Sequence, residues 1–181
     1  MTTPSPATLP ALPPGASFER VIAHWTAGTH TPSSLDREHY HFIVSGSGVV
    51  VPGVSLIPNA YRPARAGHAA HTRNCNSRSI GVAVAAMHGA VEGRTNGDFP
   101  ITAVQWAAFT NLIARLCRTY KIPVTPQTVL THAEVQSTLG IAQRGKWDIA
   151  VLPFDPKQPR VASLVGARMR REVTERLRPI Q

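Results

Sequence analysis

Two histidines and an aspartate, far apart along the chain, carry the chemistry most readily seen in this sequence. His24 closes the apolar run Val21-Ile22-Ala23, His132 closes Val129-Leu130-Thr131, and Asp148 ends the stretch Gly145-Lys146-Trp147-Asp148. Two imidazoles and a carboxylate form the donor set of a catalytic zinc site, which uses three protein ligands and keeps a fourth position open for water. A zinc ion in that setting activates water near neutral pH and polarises a carbonyl, so hydrolysis of an unreactive bond is the chemistry it would support. Taken singly each histidine is weak evidence, because the chain holds eight and a histidine at a strand end often serves only structure. Everything depends on whether the fold brings the three together.

Four apolar stretches read as the strands that must do this: residues 20–25, 40–45 continued by 48–51, 79–86, and 128–132. The Ser45-Gly46-Ser47-Gly48 break reads as a hairpin turn. Ile80-Gly81-Val82-Ala83-Val84 is apolar on both faces, as suits the middle of a sheet. Thr102 and Gln105 have capping-box spacing, Ile101 and Trp106 fit a hydrophobic staple, and a helix is expected from there to about Tyr120. Its apolar stripe is expected to be Val104, Ala108 and Leu112, flanked by Phe109, Ile113 and Leu116. A second helix is marked by Val161, Val165, Met169, Val173 and Leu177 at i+4 spacing, with arginines on its other faces. Such alternation implies an α/β fold, a single domain with a central mixed β-sheet flanked by helices and the metal site at one sheet edge.

With 181 residues the chain suits one domain better than two. Residues 1–16 read as a disordered leader, 17–158 as the main domain, and 159–181 as a basic C-terminal helix packed on it. The leader has neither the basic start nor the apolar middle of a secretion signal. No apolar run approaches the roughly 20 residues that span a bilayer. The formal charge of +9 favours anionic partners. Nucleic acid is set aside, since no motif for it accompanies the basic residues. Anionic lipid or a wall polymer meeting the C-terminal helix stays open. Cys75 and Cys117 lack the spacing of a metal or redox motif and read as reduced thiols.

The surroundings of the three residues add order. His24-Trp25-Thr26-Ala27-Gly28 is followed by Tyr40-His41-Phe42-Ile43-Val44, then His71 and Asn76, then Ser79-Ile80-Gly81-Val82, then His132-Ala133-Glu134-Val135, and finally Lys146-Trp147-Asp148. This succession resembles the zinc-dependent N-acetylmuramoyl-L-alanine amidases of the type 2 amidase family, which includes phage endolysins and is related to the animal peptidoglycan recognition proteins. The likeness runs from about Val21 to Phe154. It implies zinc held by His24, His132 and Asp148, Lys146 as the catalytic lysine two residues before the third ligand, and Tyr40 beside the metal. The implied substrate is the muramyl peptide of peptidoglycan, cut at the amide between N-acetylmuramic acid and L-alanine.

Members that recycle wall fragments carry a Glu just after the Ile-Gly pair. Ile80-Gly81-Val82-Ala83 has no carboxylate, so the likeness favours an endolysin of a phage or prophage, monomeric, and cytoplasmic until it reaches the wall or periplasm. The alternatives are a bacterial wall-remodelling or recycling amidase and a non-catalytic peptidoglycan-binding module of the same fold.

In the implied reaction Lys146 stabilises the oxyanion, a contribution on the order of 3 kcal/mol. Tyr40 orients the water or protonates the leaving amine. His71 and Asn76 are expected to line the substrate groove, and Glu134 to orient a ligand imidazole. His41 should face away from Tyr40 and is left out of the site. His30, His39, His68 and His88 read as loop histidines. Asp155 is a rival third ligand but lacks the lysine two residues before it. Residues 133–145 form a long link, so the placement of Asp148 is the least determined of the three.

Overall fold

Side chains of the first strand, β1 (Arg20–Trp25), alternate between two faces, and that alternation sets the architecture. Val21, Ala23 and Trp25 enter the main core, while Ile22 belongs to a separate cluster on the opposite face, where His24 also points. The structure is a computed structural model that describes residues 9–178.

After β1 come α1 (Ser34–His39), β2 (Phe42–Val44), β3 (Val50–Pro52), a short 3-10 turn, β4 (Ser79–Val84), α2 (Ala103–Tyr120), β5 (Val129–Thr131), α3 (His132–Leu139) and α4 (Ala162–Leu177). The five strands form one mixed sheet in the order β3-β2-β4-β1-β5, in which only the β2–β3 hairpin is antiparallel. This is the α/β fold with a central mixed sheet that the sequence implied. Strand β4 lies in the middle of the sheet and is buried throughout, as its two-sided apolar pattern required.

On the main-core face, Ile80, Val82 and Val84 of β4 join Phe42 and Val44 of β2. Helices α2 and α4 cover them with Phe109, Leu112, Ile113 and Leu116, and with Val165, Met169 and Val173. Full burial of each such side chain is worth about 2 kcal/mol. Helix α2 starts at a reciprocal capping box, in which the Gln105 N–H donates to Thr102 Oγ1 and the Thr102 N–H donates to Gln105 Oε1, both at 3.2 Å. It stops at Lys121, whose left-handed backbone (φ 54°) closes the last turn. Val104 departs from the expected stripe: it is 59% exposed, and Trp106 and Phe109 fill the core instead.

The sheet's second face is furnished differently. Gly81 and Ala83 of β4, and Ala85 just after it, are small, and a Cβ on Gly81 would run into the His71 ring. Helix α3 packs here through Val135 against Ile22 and Leu130.

The N-terminal segment departs from the simplest expectation, whereas the C-terminal helix packs on the domain. Residues 1–8 of the expected leader lie outside the described residues. Residues 9–16 are not a free tail: Leu9, Leu12 and Ala16 pack on the core and Tyr120 donates to the Pro10 carbonyl at 3.0 Å. Helix α4 is docked on α2 and β5. Among its arginines, Arg168 pairs with Asp155 and Glu172, Arg170 with Glu134, and Arg176 with Glu172. Much of its charge is therefore spent inside the protein. Among the described residues no helix is long and apolar enough to cross a membrane. Cys75 and Cys117 are buried free thiols.

Candidate metal centre and cleft

Parallel pairing of β1 with β5 puts the ends of both strands side by side, with Ala23 opposite Thr131. His24 extends from the next residue of β1. His132 is the next residue after β5, but it opens helix α3 instead of closing the strand. Glu134 explains this, because its carboxylate accepts the Thr131 N–H at 2.9 Å and so caps the helix start. The link that looked long in sequence is mostly this helix. It ends at Gly140 in the left-handed region (φ 70°), and the chain then returns so that the Ala133 N–H donates to the Asp148 carbonyl at 3.2 Å.

As a result the ligating atoms of His24, His132 and Asp148 lie within 4.8 Å of one another, and all three residues are buried. Asp148 Oδ2 is 3.1 Å from His132 Nδ1 and 3.3 Å from His24 Nδ1. Burial lowers the His24 pKa to about 4, although the Asp148 carboxylate opposes the shift, so this imidazole is neutral at neutral pH. Burial pushes the Asp148 carboxyl upward, but the adjoining His132 and His24 rings outweigh it and hold the group well below the usual range. Two imidazole nitrogens and an ionised carboxylate converging on one point fit a divalent cation, and the mixed nitrogen–oxygen set suits zinc. Asp155, the rival carboxylate, is engaged by Arg168 instead.

A cleft of about 320 Å³ opens over this cluster, and Tyr40 and Lys146 both line it. The Tyr40 ring lies 5.2 Å from the His24 ring, and its hydroxyl donates to the Trp25 carbonyl at 3.4 Å. Tyr40 is not itself in a strand: it caps the end of α1, just before β2. Burial, helped by the charge of Asp148, raises its pKa far above neutrality, so the phenol keeps its proton. Lys146 is exposed on the rim, together with Arg73 and Arg144. His39, read from the sequence as a loop histidine, is the last residue of α1 and also lines the cleft.

His71 touches the cleft, but it is only 7% exposed and forms part of the floor. Its Nδ1 is 2.8 Å from Thr72 Oγ1 and 3.2 Å from His24 Nε2. Asn76 does not line the cleft. Its side-chain oxygen accepts the Thr72 N–H at 2.8 Å, which shapes the turn carrying His71 and Thr72. His41 lies deeper, where its Nδ1 accepts the Gly81 N–H at 2.9 Å and its Nε2 donates to Asn59 Oδ1 at 3.0 Å.

Three arrangements here were not read from the sequence. Gln143 is buried with Oε1 2.9 Å from His132 Nε2, and its amide nitrogen donates to the Arg73 carbonyl at 3.0 Å. Trp147 packs edge-on against Trp25 at 4.5 Å. Glu134, expected to orient a ligand imidazole, points away and forms a two-bond pair with Arg170 at 3.0 and 3.1 Å. The polar spacing Thr131-His132-Ala133-Glu134 is a capping-box signal for α3, whereas nothing in the sequence singles out Gln143.

Comparison with known proteins agrees with this geometry. A family model described as N-acetylmuramoyl-L-alanine amidase matches residues 14–150. No curated protein matches the sequence significantly. Among solved structures, the chain resembles the Staphylococcus aureus hydrolase AmiA, solved with its ligand, at a TM-score of 0.53 and 15% identity over 89% of this chain and 73% of that one. It also resembles the Ph2119 endolysin of a Thermus scotoductus bacteriophage, at a TM-score of 0.48 and 19% identity over 68% of this chain and 77% of that one. A third likeness is to the ectodomain complex of the peptidoglycan recognition proteins LCa and LCx bound to tracheal cytotoxin, at a TM-score of 0.47 and 17% identity over 90% of this chain and 88% of that one.

Proposed function

Because the chain belongs to the N-acetylmuramoyl-L-alanine amidase family, we propose that it is a zinc-dependent hydrolase of peptidoglycan that cuts the amide between N-acetylmuramic acid and the L-alanine opening the stem peptide. The observation that carries this reading is the convergence of His24, His132 and Asp148 beneath a cleft lined by Tyr40 and Lys146. The intact donor set favours catalysis over the alternative of a binding module without activity.

His24, His132 and Asp148 would hold the ion, which when bound supplies Lewis-acid polarisation of the carbonyl and activation of water. The remaining work falls to the protein. Lys146 places an ammonium on the cleft rim, where it stabilises the negative charge that develops on the carbonyl oxygen. Tyr40 keeps its phenolic proton, so it acts as a donor rather than a base and can deliver a hydrogen bond to the departing amine. The Arg73, Arg144 and Lys146 rim gives the cleft mouth a positive potential that suits an anionic muramyl peptide. The positions of His71 and Asn76 favour supporting the floor and its turn over direct contact with substrate.

An endolysin role fits the absence of a carboxylate just after Ile80-Gly81, where Val82 enters the main core and Ala83 belongs to the same side-chain cluster as Tyr40. The docking and internal pairing of α4 weigh against a membrane-binding role for that helix. The test is digestion of isolated peptidoglycan with analysis of the released fragments. Stem peptides beginning with alanine support the proposal, and glycan cleavage with intact lactyl amides rejects it.

A further inference from the structure

The far nitrogen of each ligand imidazole is held as specifically as the near one. Around His132, the Gln143 amide group is oriented by its own donors: Nε2 gives hydrogens to the Arg73 carbonyl at 3.0 Å and the Ile141 carbonyl at 3.3 Å. That leaves Oε1, an acceptor, 2.9 Å from His132 Nε2. An acceptor at that position requires a hydrogen on Nε2, so in the neutral imidazole, the form that ligates a metal, Nδ1 carries a bare lone pair. The Gln143 backbone is itself fixed by a bond from its N–H to Gln136 Oε1 of α3 at 2.9 Å.

Around His24 the same result follows through two more residues. His71 Nε2 faces the Ser79 carbonyl at 3.4 Å, and a carbonyl only accepts, so His71 Nδ1 is the acceptor of that ring. It takes the Thr72 hydroxyl hydrogen across 2.8 Å. The Thr72 oxygen, 3.3 Å from His24 Nε2, is then free to accept, with His71 Nδ1 sharing the same hydrogen at 3.2 Å. In the arrangement that gives His71 and Thr72 their partners, His24 also carries its hydrogen on Nε2.

We infer that Thr72 and Gln143 are positioning residues that fix His24 and His132 in the Nε2–H tautomer, so that both Nδ1 lone pairs and the Asp148 carboxylate face a point suited only to a cation. No hydrogen is then available to either Nδ1···Oδ2 approach, at 3.3 and 3.1 Å. Three acceptors repel one another until a positive ion joins them. Choosing the tautomer before the metal arrives removes a step that binding would otherwise have to drive. Neither Thr72 nor Gln143 needs to touch the ion or the substrate.

The inference rests on the reading of this site as a zinc centre, and two measurements separate the two ideas. Long-range proton–nitrogen spectra of the zinc-free full-length protein should show His24 and His132 both protonated at Nε2; a hydrogen on Nδ1 of either ring overturns the assignment for that ring. Zinc titration against a competing chelator should show Thr72→Val and Gln143→Leu each weakening affinity by roughly 10–100-fold, the usual effect of losing such partners. Thr72→Ser, which keeps the acceptor, should stay within a few-fold of wild type. Unfolding of the zinc-free variants is followed alongside, and the wild-type spectra carry the test if the two truncating variants do not fold. Wild-type affinity in Thr72→Val and Gln143→Leu, or affinity lost equally in Thr72→Ser, would overturn the inference. If the wild type takes up no zinc, the metal reading fails, while the spectra still decide the tautomers.

Discussion

The Trp147 indole meets the Trp25 indole edge-on, with ring centroids 4.5 Å apart. Trp25 follows His24 and Trp147 precedes Asp148, so one aromatic contact fixes the spacing between two ligands that are 124 residues apart in the chain. Trp147→Ala should cost about 2 kcal/mol of stability, less than a fully buried tryptophan because Trp147 is only partly buried. It should also weaken zinc binding, since the Asp148 segment loses its anchor. Chemical denaturation and zinc titration of the variant check both effects; unchanged zinc affinity would mean that α3 alone positions Asp148.

Lys146 lines the cleft without contributing to the ligand cluster. Lys146→Met should therefore lower kcat by roughly 100-fold, about 3 kcal/mol in the barrier, with zinc content unaltered. A variant that loses metal instead would assign Lys146 to the integrity of the site rather than to the reaction.

Acid sensitivity should arise partly from His41. Its Nδ1 accepts the Gly81 N–H, and burial lowers its pKa from 6.5 to about 4. Between those two values the unfolded chain binds a proton that the folded protein refuses. The stability contributed by neutral His41 is thus fully present above pH 6.5 and is lost as pH falls toward 4. His24 and His71, also lowered chiefly by burial, act in the same direction. Urea midpoints of the zinc-free protein should hold steady above pH 7 and drop steeply below about 6.5. His41→Gln should begin lower and show a shallower decline; an unchanged slope would remove His41 from this account.

Glu134 and Arg170 tie α3 to α4, with side-chain exposures of 5% and 13%. Arg170→Ala leaves a buried carboxylate without its cation and should destabilise by about 3–5 kcal/mol. Gly166→Ala should also destabilise despite the better helix propensity of alanine, because a Cβ at that position runs into the Glu134 carboxylate. Deleting residues 161–181 removes Val165, Met169 and Val173 from the core, so loss of folding is expected. Circular dichroism melts of the three variants read these effects; an active, folded deletion would show that α4 is dispensable.

The sheet was legible because its signals are local. Strand β1 occupies the span that its apolar pattern marks, and the two-sided apolar run 80–84 identified the central strand, which ends two residues short of the expected 79–86. Helix α2 declared itself through Thr102 and Gln105. Helices α1 and α3 are short and have few apolar positions, so periodicity missed them, although Ser33 with Asp36 and Thr131 with Glu134 carry capping spacing. The three candidate ligands could be picked out because chemistry restricts their types and a familiar order of motifs surrounds them. Gln143, Thr72 and Trp147 could not, since amides, hydroxyls and indoles are common and their roles here come from contacts spanning 11, 48 and 122 residues. Glu134 was misread for a related reason: its partner Arg170 lies 36 residues away, on a helix whose arginines looked free.

The central claim is that a metal held by His24, His132 and Asp148 allows this protein to cut the lactyl–alanine amide. Isolated peptidoglycan, digested with and without a chelator and analysed by mass spectrometry, tests it most directly. Free stem peptides beginning with alanine should appear, vanish with chelator, return on adding zinc, and be absent with His132→Ala. Cleavage that survives chelation, or products whose lactyl amides remain intact, would contradict it.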